Sequence, residues 1–257
     1  MNGVSRSATV ALGIALCAGA CDKDKKKDGR VTGGTAAVQK KPVDAGTAGT
    51  VEGVVRFEGK PKPPRKLEMG LPECKAAHPD GVELPVTAAV DGKLANAFVY
   101  VKQGLEAYSF DAPKGEVVVD QKGCMYDPYV AGVEVGQKLV FVNSDAFNHN
   151  INGQPKENTA FNVAMPQKGM RVERIFDAPE VMFKIKCDVH PWMLGWIGVV
   201  DHPHFKVTGA DGAFSFKGLP SGELTIAVWH EIGVEQTQKV TLAAKETKRI
   251  ELSFKGD

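Results

Sequence analysis

Charge imbalance is the first thing this sequence lacks. Lys plus Arg number 32 and Asp plus Glu 31, a formal net charge of +1 over 257 residues. A balance this even argues against a nucleic acid as partner, because phosphate binding draws on a surplus of basic side chains. Long helical periodicity is scarce as well, whereas glycine (28) and proline (15) are plentiful. Short β-branched and aromatic runs broken by such residues predict an all-β chain. No Ser, His and Asp stand in a defensible catalytic order, no glycine-rich phosphate cradle occurs, and no isolated carboxylate pair is visible. Enzymatic activity is therefore not expected.

Cysteine is sparse, at five residues. The first two lie at the N-terminus, where Arg6 precedes a short apolar run, Ala8 to Ala20. That run is too short to span a bilayer and fits a secretory signal. It closes on Ala18-Gly19-Ala20-Cys21, which resembles a bacterial lipoprotein signal, although Ala18 stands where leucine is usual. The resemblance implies a signal peptide over 1–20, lipidation of Cys21, and a place in the bacterial cell envelope, periplasmic or at the cell surface, held to the membrane by that anchor. Residues 21–49 open with alternating Asp and Lys and continue in Gly, Thr, Ala, Lys and Pro. Apolar content this low predicts a flexible tether, with order beginning near Val51.

The densest chemistry lies at Cys187-Asp188-Val189-His190-Pro191-Trp192-Met193. A thiol, an imidazole and a thioether share one loop between two apolar runs, Val181 to Lys186 and Leu194 to Val200, that read as strands. Upstream, the run Val135 to Asn143 leads to His149-Asn150. One thiolate, two imidazoles and a weak thioether form the ligand set of a blue-copper site; zinc would accept Cys and His but has little use for methionine. The bland alternative is that Cys187 and Met193 merely fill a core.

The C-x-x-H-x-x-M loop, the upstream His-Asn after a strand ending in Asn143, and Tyr126-Asp127-Pro128-Tyr129-Val130 resemble the cupredoxins, most closely the amicyanin and plastocyanin type. The resemblance covers roughly the middle third of the chain. It implies a Greek-key β-sandwich holding one type 1 copper ion, with His149, Cys187 and His190 as strong ligands and Met193 as the axial one. It also implies that Asn150 ties the two ligand-bearing segments together. With Cys17 lost in the signal, Cys21 lipidated and Cys187 on copper, Cys74 and Cys124 remain, and an exported chain would join them in a disulfide; the alternative is two buried thiols.

The C-terminal part has a different signature. Thr208 to Gly222 reads T-x-A-D-G-x-F-x-F-x-x-L-P-x-G, which resembles the carboxypeptidase regulatory-like domain, a smaller transthyretin-like β-sandwich. The opening strands of that family have counterparts far upstream, at Gly53 to Pro61 and Ala95 to Val101. Two arrangements follow. Either the copper domain, 105–204, is inserted between the two parts of the regulatory-like domain, 50–104 and 205–257, or two domains lie in series. His202, His204 and His230 offer a weak second metal set; hydrogen-bonded junction histidines are the plainer reading. The segment from Gln154 to Lys168 shows no clear periodicity and is expected to be a loop.

For function, the resemblance implies an exported, monomeric carrier of single electrons. Cys187 would be its main electronic route, and His190 its exposed exit toward a redox partner that docks by a weak apolar contact. Copper storage or delivery without electron transfer is the alternative, and a structural interaction module of the envelope is a third. A multicopper enzyme is disfavoured because no second copper set is present.

Overall fold

The computed structural model describes residues 39–61, 63–84 and 89–256. The signal segment, Cys21 and most of the expected tether lie outside them. Among the described residues the chain is almost wholly β, with twenty-two strands and one six-residue helix, Pro72–Ala77.

One pair of sheets draws on both ends of the sequence. In the first sheet Phe98–Gln103 lies between Phe205–Val207 and Gly222–Trp229, with Gln236–Leu242 beyond. In the second, Gly49–Glu58 pairs along its whole length with Thr247–Lys255 in parallel, and with Ala213–Leu219 in antiparallel on its other side. Alternation decides what faces inward. Val51, Val55 and Phe57 of one strand, Phe214 and Phe216 of a second, and Leu252 and Phe254 of a third are all buried in one cluster. Each such side chain contributes about 1.5–3 kcal/mol relative to an exposed position.

The other pair of sheets lies wholly within residues 116–200. Its first sheet runs Met125–Asp127, Glu116–Lys122, Lys138–Asn143, Arg171–Arg174. Its second runs Val130–Glu134, Leu194–Val200, Glu180–Lys186, His149–Gly153, Phe161–Met165. Val119, Leu139, Phe141, Ile151, Phe183, Ile185, Ile197 and Val199 fill the space between them.

The two sheet pairs meet over Phe98, Tyr100, Val130, Val200 and Ala227, with the rings of Trp196 and Trp229 4.8 Å apart. Two glycines make this contact possible. Gly132 and Gly198 are register partners in adjacent parallel strands, and the ring of Phe98 lies over both. A Cβ on Gly198 would stand 2.7 Å from the Met182 sulfur and 2.8 Å from the Phe98 ring. Gly198→Ala is therefore expected to cost about 1–3 kcal/mol through overpacking, read as a lower urea midpoint at unchanged slope.

Two segments depart from the sequence expectations, and a third had none. Order begins before Val51: Lys41–Pro42 pairs in parallel with Tyr108–Ser109. Asp44 then builds a turn by accepting from the Gly46 amide, as aspartate side chains do, and the first long strand opens at Gly49. Phe161–Met165, inside the expected loop, is an edge strand paired with His149–Gly153. Its period-2 signal is only two buried residues, Phe161 and Met165, four apart. The stretch after Pro64 forms a small cap: a hairpin of Arg65–Leu67 with Val82–Leu84, enclosing the Pro72–Ala77 helix.

Candidate metal centre

The centre forms where the second sheet pair ends. His149 is the first residue of its strand, and Cys187 directly follows Glu180–Lys186. The turn back to Leu194–Val200 is closed by two backbone bonds, Cys187 N to Met193 O at 3.1 Å and Met193 N to His190 O at 2.8 Å. This short closure brings the side chains together. His149 Nδ1 and His190 Nδ1 are 3.0 Å apart. Cys187 Sγ lies 3.5 Å from His190 Nδ1 and 4.0 Å from His149 Nδ1. His149, His190 and Met193 have no solvent exposure and Cys187 has 2 %. Met193 packs in the same apolar cluster as Cys187. Burial, with His149 close by, pushes His190 down to about 4, so its ring is neutral at neutral pH and a lone pair is available.

The surrounding hydrogen bonds fix these donors. Asn150 donates its amide to Cys187 Sγ at 3.4 Å, and its side-chain oxygen accepts from Asp188 N at 2.5 Å. Asn150 thus touches both segments that carry the clustered donors. Asn143 donates to Phe147 O and Met165 O, and accepts from Asp145 N, which shapes the loop before His149. The Asp188 carboxylate accepts from Asn150, Asn152, Asn162 and Lys186. Lys186 first, then Asn152, hold it well below the usual carboxylate range against a small burial effect, with Asn162 and Asn150 adding to them.

Asp145 was not singled out from sequence. His149 Nε2 lies 2.9 Å from its Oδ2. Gly123 N and Cys124 N donate to the same carboxylate at 2.8 and 3.0 Å. Gly123 and Cys124 are the two residues of the hairpin turn between Glu116–Lys122 and Met125–Asp127, both at φ +59°. Positive φ at both positions is the type I′ turn that suits twisted strands, and it aims both amides at Asp145. Burial pulls this carboxyl upward, but the Cys124 and Gly123 amides and His149 outweigh it and hold it low. A carboxylate behind a ligating imidazole sets its tautomer and orientation, and losing such a partner typically costs about 10–100-fold in metal affinity. Asp145→Asn is expected to weaken metal binding at this centre by that order, measured by competition with a chelator. The sign of its pH effect follows from the lowered pKa. The stability it adds is complete above the ordinary aspartate value of about 3.9 and fades as the pH falls through the lower folded value. The stability gap between parent and variant should close only in that acid range.

The cap covers His190. A disulfide joins Cys74 of the helix to Cys124 of the turn. Trp192 Nε1 donates to Cys124 O at 3.2 Å, and His78 Nε2 lies 2.6 Å from Gly123 O. Met69, Leu71, Val82, Met125, Phe147 and Trp192 pack around the two sulfurs. The rings of Trp192 and Phe147 stand 5.4 and 6.1 Å from His190. The expectation of an exposed edge at His190 is thereby corrected, because His190 is fully buried under a segment more than 100 residues upstream. The junction histidines do not assemble a second site: His202 Nε2 meets Val101 O at 2.7 Å, and His230 Nε2 meets Ala95 O at 3.1 Å. Among the described residues the two tight His, Cys, Asp or Glu groups are His149–Cys187–His190 and Cys74–Cys124–His190.

A buried thiol between two facing imidazole nitrogens, with a thioether beside it, fits a soft metal ion, and copper better than zinc. No protein-family model and no curated protein matches the chain. Among solved structures it is similar to a Cu-containing nitrite reductase from Thermus scotoductus SA-01, at 25% identity over 35% of this chain and TM-score 0.32. The match spans only 24% of that reductase chain. It is also similar to a purple cupredoxin from Nitrosopumilus maritimus, at 23% identity over 32% of this chain and 98% of that one, TM-score 0.28. A copper(I) amicyanin mutant matches at 22% identity over 35% of this chain and 86% of its own, TM-score 0.30. At TM-scores this low the likeness is local, and the donor atoms themselves decide what the centre can bind.

Proposed function

We propose that the protein is a type 1 copper protein that carries single electrons, with His149, Cys187 and His190 as strong donors and Met193 as the axial contact. The convergence of the two Nδ1 atoms and the Cys187 sulfur in a dry pocket supports this reading most. Bound copper would supply the one-electron couple. The chain supplies the rest. The Asn150 amide stabilises negative charge on Cys187, Asp145 orients His149, and the Trp192 and Phe147 rings shield His190 from water. A rigid donor set that barely moves between oxidation states is what fast outer-sphere transfer needs.

The redox partner would meet the surface nearest His190, where Val189 is 39% exposed, through a small, weak interface. The protein acts as a carrier and not as an enzyme. In this proposal residues 105–204 are the cupredoxin domain, inserted between the two parts of a regulatory-like sandwich. Residues 1–20 direct export, and Cys21 anchors the chain in the envelope. Among the described residues no helix is long and apolar enough to cross a membrane.

The burial of His190 favours one competing reading, copper storage or delivery. Absorption and electron paramagnetic resonance spectra of the copper-loaded protein separate the two. An intense visible band from Cys187 with Cu(II) supports the carrier. Tight Cu(I) binding without a stable coloured Cu(II) form supports storage and sinks the carrier.

A further inference from the structure

His190 belongs to two donor groups at once. Its Nδ1 faces His149 and Cys187. Its Nε2 is buried with no hydrogen-bond partner among the described residues, a condition that native proteins rarely leave without a purpose. One of its ring nitrogens and the sulfurs of Cys74 and Cys124 all lie within 4.8 Å of one another, and all three residues are buried. The two sulfurs come from opposite sides of a seam, Cys74 from the cap and Cys124 from the body of the second sheet pair.

The cap is lightly held. Its hairpin forms a two-stranded sheet that pairs with no strand of the body. Its six-residue helix is too short to persist alone. Among the described residues it meets the body through the disulfide, the His78 to Gly123 contact, the small apolar cluster around the sulfurs, and the hairpin's Arg65, Val82 and Leu84, which line a pocket with Tyr126, Tyr129 and Leu194. Opening the disulfide would therefore do two things at one place. It would loosen the cover over a buried centre, and it would create two thiols beside the His190 ring.

We propose that Cys74 and Cys124, reduced by a dithiol donor, form with His190 a second soft-metal site that receives Cu(I) and passes it inward to His149 and Cys187. The donor's two thiols give up two electrons and two protons and close into its own disulfide. The Cys74–Cys124 bond breaks and two thiols form. Cu(I) then displaces the thiol protons, since soft thiolates favour this ion. His190 serves one site at a time. With the inner centre empty, the His190 ring is the third donor. Once Nδ1 is engaged, the ring proton sits on Nε2 and two thiolates alone hold the ion. A disulfide-bearing acceptor protein, taking back the two electrons and two protons and becoming a dithiol, restores the Cys74–Cys124 bond and the cover. The inference rests on the copper reading above only for the metal's destination.

The test is an anaerobic Cu(I) titration against a chromophoric chelator. It uses the full protein as isolated and the same protein after dithiol treatment and desalting. One equivalent is expected before reduction and two after, with a two-sulfur shell for the added ion by X-ray absorption. The Cys74→Ser/Cys124→Ser variant, unchanged elsewhere, is expected to bind one in either condition. The parent compared with itself needs no substitution, so a poorly folded variant does not spoil the test. An unchanged single equivalent after reduction, or a disulfide that resists the dithiol in the folded protein, overturns the proposal. The visible Cu(II) band of the oxidised protein reports on Cys187 alone. If the band is absent but reduction adds an equivalent, the carrier reading fails and this one stands; a band without the gain does the reverse.

Discussion

Cys187→Ser is expected to abolish the visible charge-transfer band and to lower copper affinity by more than the roughly 10–100-fold typical of an outer hydrogen-bond partner. The reason lies in what the sulfur does and what an oxygen cannot. A thiolate is soft and forms when a metal ion displaces the thiol proton, whereas a serine hydroxyl is hard and stays protonated. Met193 cannot take its place, because a thioether carries no charge. The two imidazoles would remain 3.0 Å apart and keep some affinity for any ion that accepts two nitrogens. The fold should survive. Cys187 is buried, but the Asn150 amide that now donates to its sulfur would meet the serine oxygen, so the buried hydroxyl has a partner and the cost stays near 1–3 kcal/mol. Absorption spectra and a chelator competition, run beside a thermal melt, separate lost chemistry from lost structure. Copper binding and colour equal to the parent's would remove Cys187, and with it the carrier, from consideration.

What could be seen in the sequence depended on how local the signal was. The all-β class was legible because alternation survives in short windows, as in Val51, Val55 and Phe57. The Cys187, His190 and Met193 spacing was legible because one tight loop carries all three. Asp145 was not. It is one of 31 acidic residues, and what sets it apart is the turn at Gly123 and Cys124, 22 and 21 residues earlier. Met165 and its strand resemble a loop in the sequence because an edge strand with only two buried positions leaves a faint period. The cover over His190 was the largest omission. A motif tells which side chains share a loop, but what lies on top of them is decided by distant segments. Here Met69, Leu71 and Cys74 find Phe147 and Trp192 only in three dimensions.

That cover leads to the second large effect. Cys74→Ser/Cys124→Ser removes a cross-link spanning 50 residues, for which chain entropy gives about 4 kcal/mol. Where that energy is lost depends on the architecture. The cap adds no strand to the four large sheets, so the loss should fall on cap opening and only weakly on the melting of the body. Amide exchange in the Arg65–Leu67 and Val82–Leu84 hairpin is expected to accelerate by up to roughly 10³-fold, since each 1.4 kcal/mol is a factor of ten. Exchange in the cores around Phe141 and Phe214 should stay near the parent rate. Were the cap instead an integral part of the fold, the same energy would appear as a fall in Tm of roughly 8–16 °C, with exchange rising everywhere together. In the local case His190 also becomes reachable, and its modification by an imidazole reagent should speed up in parallel with hairpin exchange. That parallel matters because both events require the same opening. A His190 that stays protected while the hairpin exchanges freely would mean that Trp192 and Phe147 shield the ring without the cap, and the disulfide would then have no hold on access to the centre.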